Sequence, residues 1–433
     1  MSELSDTVNK AMKEVKTEIR TGKRILSQAV FIFFLLLSLH FWDLRFIPKI
    51  FNIENLLTWM VCGFSFFMVI NKNDMHFRNA ILLFIFGLLL NSLAAYINLD
   101  QDFKLSVLSF GFYYFILLYF LQHYLELDRR FLENVIIIFG LIYSALFLTQ
   151  YALYPFSIFN RDVSTAVNEI QLEILGNGFL MLSYFLVLNR YLLNRRFLNI
   201  VLAIGFLFIL LKSGFRTLVG GALMVTVIMI MRMFRFRVKD FVIVIFLAAF
   251  FIGLFQVKSV AGIVNKMINK TETDIGSGSK FNRIVDMEFF FKRYPENLSY
   301  FIIGGGRASG KNLYRYNPYV MGQNYNIVWV DIGLLGFYIV VGGVATLGLL
   351  WYTIKAIFSR LPGDMIYLSS YFLYLLIVSF TNEEIYRNGI FSVVAIGLYL
   401  IDIAQDRSTD PDLGYQEADH MPRRLRRRIR GSY

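Results

Sequence analysis

The chain has 433 residues, 57% of them hydrophobic and only 17% charged, and its formal net charge is +12. A soluble domain carries about 25% charged residues, so this composition excludes a soluble enzyme and a disordered chain. The single cysteine, Cys62, excludes an intramolecular disulfide. Long apolar runs recur from Ile25 to Ala404, which indicates a protein that crosses the membrane many times.

The chain begins with a polar arm over residues 1–24, which lacks the apolar core of a secretory signal. Apolar residues at helical spacing in this arm are Leu4, Val8, Met12, Val15 and Ile19. Basic residues occupy the other faces, so the pattern predicts an amphipathic cytoplasmic helix on anionic lipid headgroups. A solvated helical arm is the alternative.

Apolar runs follow one another over 25–404; most are near the ~20 residues that cross a bilayer, several are short, and the run 326–354 is long. We predict an all-α polytopic membrane protein with about twelve transmembrane helices. The predicted spans are 25–42, 55–71, 79–97, 105–122, 133–153, 173–192, 198–212, 216–232, 240–257, 326–354, 364–380 and 388–404. Polar residues at 212–216 interrupt the apolar run 198–232 and predict a tight hairpin there.

Basic residues predict the orientation, because short cytoplasmic loops of membrane proteins carry an excess of Lys and Arg. Placing the N-terminus in the cytoplasm puts most short-loop basic residues on that side, and an even span count returns the C-terminus to it. The arginine-rich tail 405–433 then becomes a cytoplasmic basic segment. Membrane orientation thus accounts for the positive charge, and no nucleic-acid partner is expected.

One connection, 258–325, is far longer than the others and is the place for a periplasmic loop subdomain. Its basic residues outnumber its acids, which predicts an anionic partner at the outer face. Arg216 also lies at the outer face, beside Lys212, against the positive-inside bias. It either reaches lipid phosphate or binds a lipid-linked diphosphate, since a planar guanidinium pairs bidentately with phosphate oxygens.

Three ordered segments carry a resemblance to a known family. They are the hairpin Lys212-Ser213-Gly214-Phe215-Arg216-Thr217, the loop segment from Arg283 through Pro295 to Gly304 and Gly306, and the run from Gln323 and Asn324 through Asp331 to Gly336. Together they resemble the O-antigen polymerases and ligases of bacterial surface-polysaccharide assembly. The family's ligases have a histidine at the head of the third segment. This chain has no histidine there, which favours a polymerase.

The resemblance implies an inner-membrane glycosyltransferase with a GT-C-like architecture and an active site on the periplasmic face. It implies transfer of the growing glycan from undecaprenyl diphosphate to the terminal sugar of another lipid-linked repeat unit, without metal or cofactor. The expected partners are the undecaprenyl-diphosphate-linked oligosaccharide, membrane lipids and a chain-length regulator protein. A ligase that transfers glycan to lipid A-core and a flippase for lipid-linked oligosaccharide stay as alternatives.

This chemistry needs cations for the departing diphosphate and a base for the acceptor hydroxyl. The expected catalytic residues are Arg216, Arg283, Arg293, Asp331, Glu383 and Glu384. The expected substrate-binding residues are Lys212, Ser213, Gly304, Gly306, Arg307, Gln323 and Asn324.

The same residues have structural alternatives. Arg283 and Arg293 suit a loop surface, and Asp331 suits helix capping or pairing with an arginine. The glycine run 304–306 predicts either a plain turn or a nest of amides for phosphate. The acidic tripeptide at 100–102 predicts either an ordinary loop or a site for a metal and a diphosphate.

Overall fold

The structure is a computed structural model that describes residues 21–47, 51–72, 75–160, 164–166, 169–171, 174–233, 282–295, 298–307 and 329–409. Several predicted features lie outside these residues: most of the amphipathic arm, the span 240–257 and the tail beyond Thr409. Most of the loop 258–325 lies outside them as well, including Gln323 and Asn324.

The described chain is mostly helical, with one short antiparallel hairpin. In chain order the elements are α1 (Thr21–Ser38), α2 (Phe51–Val69), α3 (Arg78–Leu99), α4 (Phe103–Ser109), α5 (Leu118–Leu125), α6 (Arg129–Leu153), β1 (Ser164–Ala166), β2 (Glu169–Gln171), α7 (Asn177–Asn194), α8 (Phe197–Lys212), α9 (Arg216–Met233), α10 (Asn282–Glu288), α11 (Ser299–Ile303), α12 (Gly333–Val341), α13 (Gly343–Phe358), α14 (Ile366–Ser379) and α15 (Ile390–Thr409). Short 3₁₀ turns over Tyr113–Leu117 and Trp329–Ile332 precede α5 and α12. A π-turn over Phe289–Arg293 follows α10.

Four helices, α1, α3, α6 and α9, are long and apolar enough to cross a membrane. The pair formed by α4 and Tyr113–Leu125 makes a fifth if it is one bent span. The chain therefore has the helices of a membrane protein, by length and composition. The larger number of about twelve spans stays a prediction.

The predicted hairpin is confirmed, because α8 ends at Lys212 and α9 begins at Arg216. Gly214 between them has φ +78°, a left-handed conformation that glycine adopts without steric cost. We call the end of the helical bundle at this hairpin the upper end, and the opposite end the lower end.

Two predicted spans, 105–122 and 326–354, are not continuous helices. The axis of α4 and that of the helical segment after it differ by 64°. In the second case α12 and α13 are separated at Gly342, which has φ +102°. A Cβ at Gly342 would lie 2.5 Å from the amide nitrogen of Gly304, so the segment at Gly304 packs directly against this break. Broken helices occur at membrane depth where protein or a cavity surrounds the break.

Helices α3 and α13 pack closely because glycines face the partner helix. A Cβ at Gly87 would lie 2.5 Å from Cα of Ala345, and a Cβ at Gly348 would lie 2.6 Å from Cα of Phe84. Small residues let two membrane helices approach closely. This contact holds α3 beside the break at Gly342.

At the lower end, the last helix buries a carboxylate. Asp402 of α15 is fully buried and accepts a hydrogen bond from the Tyr119 hydroxyl. His123 Nε2 lies 3.1 Å from one carboxylate oxygen, and His76 Nδ1 lies 3.3 Å from the other. These contacts join α15 to α5 and to the segment that precedes α3.

Candidate functional site

The turn between α14 and α15 contacts the hairpin that contains Arg216. Asn382 Nδ2 donates to the Thr217 hydroxyl at 3.4 Å. The Arg387 guanidinium lies over the Phe215 ring, 5.2 Å from its centroid. Two segments that the sequence analysis singled out separately therefore meet at the upper end, and Arg216 is half-buried there at the first residue of α9.

The adjacent acids of this turn have different surroundings. Glu384 is fully buried, accepts a hydrogen bond from Asn177 Nδ2 at 2.8 Å and lies 3.6 Å from Arg387 Nη1. Glu383 lies 3.3 Å from Arg387 Nε and has 24% of its side chain exposed. Glu384 thus joins α7 to the turn through buried contacts, whereas Glu383 is accessible to a ligand.

The 3₁₀ turn before α12 is attached to the same site. Trp329 stacks on Tyr386, with ring centroids 5.5 Å apart and an interplanar angle of 17°. The Tyr386 hydroxyl donates to the carbonyl oxygen of Gly333 at 2.8 Å. Asp331, on the exposed side of this turn, is close enough to Arg283 of α10 for an electrostatic interaction. The structure thus places Asp331 within electrostatic range of Arg283, and the arginine-pairing alternative stays a prediction.

Tyr386 lies at the centre of these charges. Burial raises the pKa of its hydroxyl well above the ordinary value. The neighbouring Tyr113, Glu383 and Asp331 raise this pKa further, and the positive charge of Arg387 lowers it. The hydroxyl therefore stays protonated and serves as a hydrogen-bond donor.

The glycine run that follows α11 forms a turn against α12 and α13. Gly305 N donates to Ile339 O at 3.2 Å, and Gly306 N donates to Val340 O at 3.3 Å. Gly304 has φ +83° and Gly306 has φ +99°, conformations that favour glycine. The Gly305 and Gly306 amides bond to the protein itself, so this arrangement fits the plain-turn alternative and not an amide nest open to phosphate.

This turn presents Arg307 to the bend after α4. The guanidinium lies 5.6 Å from the Phe110 ring centroid and 5.2 Å from that of Tyr113. Among the described residues, no hydrogen-bond partner contacts its buried Nη1 atom. Tyr113 also interacts electrostatically with Glu383, so Tyr113 links Arg307 to the acidic turn. We call Tyr113, Arg307, Glu383, Tyr386 and Arg387 the upper-end cluster.

Other predicted site residues lie at the margin of this cluster or make structural contacts. The Lys212 ammonium lies over the Tyr151 ring, 5.3 Å from its centroid. The Ser213 hydroxyl donates to the Leu210 carbonyl at the end of α8. Arg293 is exposed at the end of the π-turn.

The acidic tripeptide at 100–102 has a structural role in this structure. Asp102 caps α4 by accepting a hydrogen bond from Leu105 N at 3.2 Å. Within the described part of the chain, no group of three or more His, Cys, Asp or Glu residues has an arrangement that could hold a metal ion. The capping contact of Asp102 favours the ordinary-loop alternative.

Several residues of the site were missed by the sequence analysis. Arg387 was not singled out, although its spacing from two glutamates indicates ion pairing. Tyr113 and Tyr386 were hidden among abundant aromatic residues. Asn91, described below, stands inside the apolar run of α3, and a polar residue at such a position is itself a signal of function.

The arrangement can bind an anion and accept a proton within one site. Arg307 offers a partly desolvated guanidinium, whose interaction with phosphate is strengthened where water is excluded. Glu383 offers an accessible carboxylate that interacts electrostatically with Tyr113, the residue over which the Arg307 guanidinium lies. No protein-family model matches the chain, and no curated protein matches its sequence. The family resemblance therefore rests on the three segments named above.

Proposed function

We propose that the chain is a glycosyltransferase that polymerises a bacterial surface polysaccharide such as O-antigen. It transfers the growing glycan from undecaprenyl diphosphate to the terminal sugar of another lipid-linked repeat unit. The upper end is then the periplasmic face of the inner membrane, and both termini are cytoplasmic. About twelve spans and a GT-C-like loop subdomain belong to this proposal.

The observation that supports it best is the convergence of separate segments at the upper end. The hairpin at 212–217, α10, the glycine turn at 304–307, the 3₁₀ turn before α12 and the turn at 381–389 carry the arginines and carboxylates of the site. These are the segments of the family resemblance together with one acidic turn. A site for a lipid-linked diphosphate at the membrane surface needs this combination of guanidinium groups and a base.

In the proposed reaction, the acceptor hydroxyl oxygen attacks the anomeric carbon of the donor sugar. A bond forms between these two atoms, and the bond from the anomeric carbon to the diphosphate oxygen breaks. The electron pair leaves with the diphosphate, whose growing charge Arg307 and Arg216 stabilise. Glu383 accepts the proton of the acceptor hydroxyl, because it is the exposed member of the acidic pair. Asp331 is the second candidate for this base.

The test is deletion of the gene in its native bacterium, with complementation by wild type and by Arg307→Ala, Arg216→Ala and Arg130→Ala. Arg130 is exposed at the lower end and serves as the matched control. We expect the glycan ladder to collapse to a single repeat unit in the deletion strain. Wild type and Arg130→Ala restore the ladder, and the two upper-end variants do not.

Other results would point to the alternatives. Loss of surface glycan with long polymer retained on the lipid carrier indicates a ligase. Lipid-linked units retained on the cytoplasmic face indicate a flippase. A normal ladder in the deletion strain contradicts all three functions.

A further inference from the structure

A fully buried asparagine lies in the middle of an apolar helix. Asn91 belongs to α3, one of the four helices long and apolar enough to cross a membrane. A buried amide side chain without hydrogen bonds costs several kcal/mol in an apolar surrounding. The hydrogen-bond partners of Asn91 therefore indicate its role.

The Asn91 side chain binds three backbone groups from two distant segments. Its Nδ2 donates to Ile303 O at 3.0 Å and to Val340 O at 2.7 Å. Its Oδ1 accepts a hydrogen bond from Arg307 N at 3.1 Å. One side chain thus connects the end of α11, the end of α12 and the backbone of the arginine that faces the upper-end cluster.

The rest of the glycine turn is held by side chains of α3, of the loop after α3 and of the residue that follows the π-turn after α10. Asn98 Nδ2 donates to Gly305 O at 3.5 Å, and Gln101 Nε2 donates to Arg307 O at 3.3 Å. Tyr294 Oη donates to Gly306 O at 3.2 Å. Asn91 binds Arg307 at its amide nitrogen and also binds the ends of α11 and α12, whereas Gln101 binds only the Arg307 carbonyl.

We propose that Asn91 is a positioning residue that fixes Arg307 above Phe110 and Tyr113, where the guanidinium binds the diphosphate of a lipid-linked donor. This inference rests on the proposed function. Catalytic groups must be held close to their productive geometry, and a displacement of about 1 Å can lower a rate ~100-fold. Loss of the Asn91 contacts releases the Arg307 backbone and allows such a displacement.

The test uses the full chain in lipid nanodiscs and two readouts. The first is the affinity for farnesyl diphosphate, a short polyprenyl diphosphate. The second is the rate of elongation of a lipid-linked repeat unit, with kcat and KM measured separately. Both are normalised to the folded, monodisperse fraction. The variants are Asn91→Ala, Arg307→Ala, and the double variant. Asn91→Ser, which retains one hydroxyl donor, is the milder substitution if Asn91→Ala does not accumulate.

Ser92→Ala is the matched control for loss of a buried polar group. Ser92 is fully buried on the same helix, and its hydroxyl donates to Leu88 O one turn earlier. We expect this variant to bind and to elongate as wild type does.

We expect Asn91→Ala to weaken farnesyl diphosphate binding about tenfold and to lower kcat by about 10–100-fold. In the Arg307→Ala background, removal of Asn91 should cause no further loss, because the two residues act through one group. A purely structural role would not produce this dependence on Arg307.

The outcomes separate this inference from the proposed function. If the losses multiply in the double variant, or if Asn91→Ala binds the diphosphate as wild type does, the positioning role is overturned. If wild type binds the diphosphate and Asn91→Ala weakens this through Arg307, but no elongation occurs, the positioning role stands and the polymerase proposal fails. If wild type does not bind the diphosphate, the inference is overturned as well.

Discussion

Replacement of Gly306 by alanine should destabilise the chain by an amount that the geometry sets. Gly306 has φ +99°, and a non-glycine residue held in such a region costs about 1–3 kcal/mol. An added Cβ would lie 2.6 Å from Cα and 2.9 Å from Cβ of Ala95 on α3. Backbone cannot rotate away as a flexible side chain can, so overpacking adds about 1–3 kcal/mol. We expect Gly306→Ala to lower the free energy of unfolding by about 2–6 kcal/mol.

The chain offers its own reporter for this measurement. Cys62 is the single cysteine and is buried on α2. A thiol-reactive fluorophore added to the purified protein therefore reports the opening of the bundle. The reagent is applied as a brief pulse at each denaturant concentration, because labelling is irreversible, and the labelled fraction gives the change in the free energy of unfolding.

Two glycine controls separate the cost of the backbone conformation from the cost of the steric overlap. Gly214 has φ +78° with no atom within 4 Å of an added Cβ, so Gly214→Ala carries the conformational cost alone, about 1–3 kcal/mol. Gly220 lies in α9 with open space around it, and Gly220→Ala should be neutral or stabilising by up to about 1 kcal/mol. If Gly306→Ala is no less stable than Gly214→Ala, the turn does not press against α3 and our reasoning is refuted.

The remaining predictions concern acidic side chains at the two ends of the bundle. Glu384→Gln removes a fully buried partner of Arg387 and should lower the free energy of unfolding by about 3–5 kcal/mol in the same thiol assay. Glu383→Gln should lower it by less than about 1 kcal/mol, because Glu383 is partly exposed. Equal losses of stability in the two variants would contradict the burial of Glu384 and the exposure of Glu383. Glu383→Gln should instead lower the elongation rate by about 10²–10⁴-fold, and an unchanged rate would exclude it as the base. Asp402→Ala removes the carboxylate that contacts His123 and should lower the free energy of unfolding by about 3–5 kcal/mol. The elongation rate per folded molecule should stay unchanged.

Local reversals of the chain were predictable because they depend on neighbouring residues. Polar residues at 212–216 interrupt an apolar run, and this pattern gave the hairpin between α8 and α9. The glycine turn was also expected, because Gly304 and Gly306 suit left-handed backbone. The sequence did not predict which carboxylate is accessible. Glu383 and Glu384 are adjacent and chemically alike, and they differ in tertiary packing, in which Glu384 contacts Asn177.

The breaks in the helices were missed for a different physical reason. Hydropathy averages over about 20 residues, so a bend flanked by apolar residues leaves the average unchanged. Phe110 and Phe112 flank Gly111 in this way. The pair Gly342-Gly343 was a usable signal, since paired small residues often mark kinks. Contacts such as Asn91 with the glycine turn depend on segments far apart in the chain, which no local pattern reports.

The hydrogen bonds of Asn91 also have a consequence for biogenesis. Its partner Val340 is synthesised 249 residues later, and Ile303 is 212 residues later. At about 5–20 residues per second, roughly 12–50 s pass between the synthesis of Asn91 and that of Val340. If α3 crosses the membrane as proposed, it enters the bilayer during this interval with a polar side chain whose final partners do not yet exist. The site is completed only late in translation, and a chain released before residue 303 leaves this amide without its native partners in the bilayer.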